Sequence, residues 1–179
     1  MKYSIKFAVG TLTFLFFTFL MFSSDNDKNI KKDMADIEDG KADGIRSFND
    51  GITGELALLQ GKMLKVQKSM ESVEGSSNEE SRRDAQVLLD EATRIKGVFI
   101  NLTPVGSGGS EMLSSAIKFT DACMVFAEAI IREDDFERIV STYNDLDDAE
   151  NEMIATQKNF GLRNNLRFEP KPVDPNDLN

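Results

Sequence analysis

Carboxylates are the one reactive group this chain holds in quantity: 31 Asp and Glu among 179 residues, against 21 Lys and Arg. Their densest cluster is Asp145, Asp147, Asp148, Glu150 and Glu152. A calcium loop needs acidic residues at alternate positions, then a glycine and a terminal Glu, and this run has neither. On a helix of 3.6 residues per turn the five spread around a solvated surface. Asp36-Ile37-Glu38-Asp39-Gly40 fails the same loop, because Ala35 and Ile37 fall on two ligand positions. Two carboxylates converging in a pocket could work as general acid and base, but no spacing here selects a pair. The sequence assigns no catalytic residue, no metal ligand and no cofactor.

Histidine is absent. That removes Ser-His-Asp and Cys-His nucleophilic machinery, the zinc-protease helix with paired histidines, and the Glu-x-x-His di-iron pattern of helical bundles. Cys123 is the only cysteine, so no disulfide closes within the chain. It lies in Ala122-Cys123-Met124-Val125-Phe126 and reads as a small buried hydrophobe, with a free thiol for intermolecular pairing as the alternative. The run Thr103-Pro104-Val105-Gly106-Ser107-Gly108-Gly109 precedes a helix but lacks the Gly-Lys-Ser/Thr ending of a phosphate loop. It reads as a flexible connector. Asn101-Leu102-Thr103 matches a glycosylation acceptor and is read as coincidence, since Pro104 follows.

The elements that must position these groups are helices. Ile45, Phe48, Ile52, Leu56, Leu59, Met63, Val66 and Met70 step by three or four, one apolar stripe on a helix of about 26 residues. A second helix over 79–102 carries Ala85, Leu88, Ala92, Ile95, Phe99 and Leu102. A third runs to Ile131 behind a Ser110 N-cap, with Leu113, Ala116, Ile117, Thr120, Cys123, Met124, Ala127, Ile130 and Ile131. It is the most apolar of the four, as expected of a helix flanked on two sides. The fourth carries Phe136, Ile139, Tyr143, Leu146, Ala149, Met153, Gln157 and Phe160, capped by Asp134 or Asp135 and closed at Gly161. Breakers at 74–78, 103–109 and 132–135 separate them.

This pattern predicts an all-α fold, an antiparallel up-and-down four-helix bundle over 45–168, with no sheet. Phe48, Leu59, Leu88, Phe99, Ile130, Tyr143, Met153 and Phe160 should point into its core. Thr120, Tyr143 and Gln157 are the only polar residues on the inward stripes. Residues 25–44 read as a polar stalk, and 169–179, with three of the four prolines, as a disordered acidic tail.

The amino end is different. Lys2 and Lys6 precede an uncharged apolar run over residues 7–22. Cations ahead of such a block are the pattern of an export signal, either cleaved or kept as a single membrane anchor within residues 1–24. Sixteen residues span roughly 24 Å, short of the ~30 Å hydrocarbon core. Beyond Ser24 stand 19 basic and 31 acidic residues, a net charge of −12. That repels nucleic acid and anionic lipid.

Phe48-Asn49-Asp50-Gly51-Ile52, Pro104-Val105-Gly106, Ala149-Glu150, Gln157-Lys158-Asn159-Phe160 and Asn165-Leu166 together resemble a group of small exported helical-bundle surface proteins of unknown function from Gram-negative bacteria. The likeness covers roughly residues 45–168 and implies fold and location only. That group commonly has a lipoprotein signal, whereas no cysteine lies near Ser23. The expectation is an exported envelope or surface protein, periplasmic or cell-surface, that acts as a non-enzymatic protein-interaction or structural module with a protein partner. The alternative is a bundle that binds a small molecule or metal through inter-helix carboxylates.

Overall fold

The computed structural model describes residues 20–22, 32–71, 79–166 and 168–170. Four helices dominate: α1 Lys32–Glu71, α2 Glu79–Ile100, α3 Gly109–Ile131 and α4 Phe136–Arg163. Three residues at each end, β1 Leu20–Phe22 and β2 Phe168–Pro170, pair antiparallel with Phe22 opposite Phe168. Apart from this pairing the described residues are helix and turn, and the fold is all-α as expected. A strand period cannot show itself over three residues, so the pattern argument was blind at that length. Residues 20–22, at the end of the expected signal or anchor segment, are extended. The remainder of that segment, residues 1–19, lies outside the described residues, as does the tail at 171–179.

The four apolar stripes close on one core. Ile52, Leu56, Leu59, Val66, Leu88, Ala92, Ile95, Phe99, Phe119 and Ile130 are fully or almost fully buried. Of the eight core residues expected, seven are buried; Tyr143 is only partly so, packed against the core rim. Phe136, expected on the fourth stripe, is 40% exposed at the first turn of α4. Helix α3 packs closely on both α2 and α4. Its inward surface is correspondingly broad, taking in Met112, Phe119, Phe126 and Ala129 beyond the expected stripe. Burial of that many large side chains, at about 1.5–3 kcal/mol each, is what holds the helices together.

Three boundaries differ from the sequence reading. Helix α1 begins at Lys32, so residues 32–44 of the expected stalk are part of a 40-residue helix. Once a helix is nucleated each added residue gains one bond. The ~1 kcal/mol cost of a glycine such as Gly44 is too small to stop it, and the Asp43–Arg46 pair at 3.2 Å supports that turn. Helix α3 starts behind Gly108, whose φ of 83° no side-chain cap accompanies, so Ser110 is not the cap. Helix α4 passes through Gly161 and ends at Arg163. Its last turn closes in a Schellman arrangement. Leu166 N–H reaches the Gly161 carbonyl at 2.9 Å, and Asn165, not a glycine, takes the left-handed position at φ 53°. Asp135 caps the start of α4 as expected, its side chain accepting from Arg138 N–H at 2.8 Å.

Candidate functional site

Each helix runs antiparallel to its sequence neighbour, and ion pairs cross each of these interfaces. Glu55–Arg94 and Lys65–Asp84 join α1 to α2, Lys96–Asp121 joins α2 to α3 and Arg82–Glu133 joins α2 to the turn that follows α3, and Lys118–Glu152 and Glu111–Arg163 join α3 to α4. Arg94 also bonds Glu91 one turn earlier, which holds that carboxyl below its usual range.

The contact of α1 with α4 is built otherwise. Among the described residues scarcely any Cα of one helix comes within 8 Å of the other, and no ion pair crosses. Three side-chain hydrogen bonds bridge the gap. Gln157 Nε2 donates to Thr53 Oγ1 at 3.0 Å, Gln60 Nε2 to Glu150 Oε1 at 2.8 Å, and Gln67 Nε2 to Tyr143 Oη at 3.3 Å. Positions 53, 60 and 67 rise by seven along α1 as 157, 150 and 143 fall by seven along α4. The seven-residue step keeps successive residues on one helix face, so the three bonds form a ladder in one antiparallel register.

The middle rung concentrates the electrostatics. Glu150 is half-buried, and removal from water pushes its carboxyl above the ordinary range; the Gln60 bond opposes this and the nearby Asp147 charge adds to it. Facing it from α3 is Cys123, fully buried. Burial, and then the Glu150 charge, hold the thiol well above its usual value, so it stays protonated and a poor nucleophile.

The structure redistributes the sequence candidates. The acidic cluster of α4 does not simply ring a solvated surface. Glu150 turns to α1, Glu152 meets Lys118 of α3, and Asp147 accepts from Asn151. Tyr143 and Gln157 belong to the ladder, whereas Thr120 bonds the Ala116 carbonyl within its own helix at 2.8 Å. Thr53, Gln60, Gln67 and Asn49 were missed because they flank the apolar stripe of α1. Their seven-residue recurrence was the signal available. Asn49 is fully buried; its Nδ2 reaches Asp50 at 3.1 Å and its Oδ1 finds no partner among the described residues.

The loop after α2 is not a free connector. Asn164, just beyond α4, accepts from Ser107 N–H at 3.0 Å and donates to the Ser107 carbonyl at 2.9 Å. Gly106 and Gly108 adopt φ of 81° and 83°, and a Cβ on Gly106 would stand 2.8 Å from Asn164 Oδ1. Beneath the loop Phe48 and Phe160 meet at 5.7 Å. Among the described residues no group of three or more His, Cys, Asp or Glu could hold a metal ion, and no helix is long and apolar enough to cross a membrane.

Comparison with family models, with curated proteins and with solved structures gives no match.

Proposed function

We propose that this is an exported protein of the cell envelope, periplasmic or cell-surface, working as a non-enzymatic interaction or structural module with a protein partner. In this reading residues 1–24 are a signal or a single membrane anchor, and an up-and-down four-helix bundle follows. The apolar run over 7–22 behind Lys2 and Lys6 supports the location, as does the resemblance to exported bundle proteins. The observation that carries the module reading is the ladder. The inward polar groups of α1 and α4 bond one another across the seam and are used to set how the two helices meet.

One observation favours the alternative of ligand binding through an inter-helix carboxylate: Glu150 is drawn out of water between helices. Two experiments separate the readings. An alkaline phosphatase fusion after Ser24 should be active, and an inactive but well-expressed fusion overturns the location. Cross-linking in native membranes should then capture a protein partner; a metal or small molecule co-purifying at stoichiometric level instead overturns the module reading.

A further inference from the structure

We infer that the α1/α4 seam is a proton-operated latch: with Glu150 neutral α1 closes on α4, and with Glu150 ionised the seam loosens. The geometry singles this seam out. Its helix backbones stand apart, no ion pair ties it among the described residues, and apart from the Phe48–Phe160 contact at one end it is bridged by three hydrogen bonds in one register. Of the six ladder residues only Glu150 carries a carboxyl; the others are an alcohol, a phenol and three amides.

The groups acting on Glu150 are Gln60 from α1, Cys123 from α3 and Asp147 on α4 itself. None is a cation. Lys118 of α3 is engaged by Glu152, Lys96 of α2 by Asp121, and Lys62 of α1 lies toward Glu91 of α2. An ionised Glu150 is therefore held by one amide against the loss of water, the charge of Asp147 and a neutral thiol. Taking up a proton from solvent removes the charge, and the acid can still share a hydrogen bond with Gln60, whose amide both donates and accepts.

The sign follows from the raised carboxyl. The closed state binds the proton more tightly than a separated seam does. Its stabilisation is fully present below the ordinary Glu range and lost as pH rises through the raised value.

Hydrogen exchange of the full chain in detergent, at about pH 5 and about pH 8 and corrected for intrinsic rates, reads local opening directly. Protection over residues 53–67 and 143–157 should be severalfold higher at the lower pH, while residues 85–99 of α2 change little. Glu150→Gln should keep the seam protected at both pH values. Thr53→Val, which removes a rung with no titrating group, should retain the pH dependence. A uniform change across all helices, no change at all, or a pH dependence that survives Glu150→Gln overturns the latch.

Discussion

Helix α3 and helix α1 meet α4 from two sides by different physics. The α3/α4 contact combines close backbone approach, a broad apolar surface and ion pairs at its rim, Lys118–Glu152 and Glu111–Arg163. Exposed pairs of that kind add little stability, about 0–1 kcal/mol each, so this interface rests on apolar burial such as Phe126 against Tyr143. The α1/α4 contact has less backbone approach and more side-chain reach. Its polar groups are buried or half-buried, where an unmet partner is costly. The two contacts thus differ in kind, with ion pairs at the solvated rim of one and side-chain hydrogen bonds along the water-poor seam of the other. The second device specifies register more sharply, because slipping one residue would break all three rungs together.

Mutation can break this contrast, most strongly on the α3 side. Phe119→Ala should lower stability by about 3–5 kcal/mol, measured by chemical denaturation, because it empties a fully buried aromatic site. A loss below 1 kcal/mol would mean that α3 is not the apolar centre. On the α1 side, Gln157→Ala should cost about 1–3 kcal/mol by leaving the buried Thr53 hydroxyl without its partner. The double variant Thr53→Val with Gln157→Leu should recover most of that loss while weakening register, visible as broadened α1 resonances in NMR.

Asn49→Leu should raise stability by about 1 kcal/mol, since it removes a buried carbonyl oxygen that lacks a partner. A destabilised variant would show that Oδ1 has a partner in solution. The smallest effect is expected at the α3/α4 rim. Lys118→Met should change stability by less than about 0.5 kcal/mol and remove only a salt-sensitive component. A larger loss, persisting in high salt, would contradict the assignment of that pair to the solvated edge.

Much of the architecture could be read from step sizes of three and four. Ile52, Leu59, Leu88, Ile95, Ile130 and Met153 are buried where their periodicity put them, because an amphipathic helix has only one face it can hide. Boundaries were less legible. Asn165 and Glu133 take left-handed positions at the ends of α4 and α3, with φ of 53° and 57°. Both places are commonly glycine, and a residue-type argument looked for glycine at 161 instead. The start of α1 lies well before its apolar stripe, because a long helix absorbs the cost of Gly40 and Gly44.

The candidate site was legible only in halves. Thr53, Gln60 and Gln67 repeat every seven residues, as do Tyr143, Glu150 and Gln157, but each series alone looks like an ordinary flank of an apolar stripe. The chain by itself determined that there would be four helices, which faces they would hide, that Cys123 would sit in apolar surroundings, and that no histidine chemistry was possible. Only the tertiary structure decided that the two polar series face one another in opposite directions, that Glu150 alone of its acidic cluster turns to α1, and that Asn164 pins the loop at Ser107. The reason is physical. Periodicity is set within one helix by its own geometry, whereas register between helices is set by packing and hydrogen bonding across about ninety intervening residues (|i−j| of 90 for Gln60 and Glu150), which no local pattern encodes.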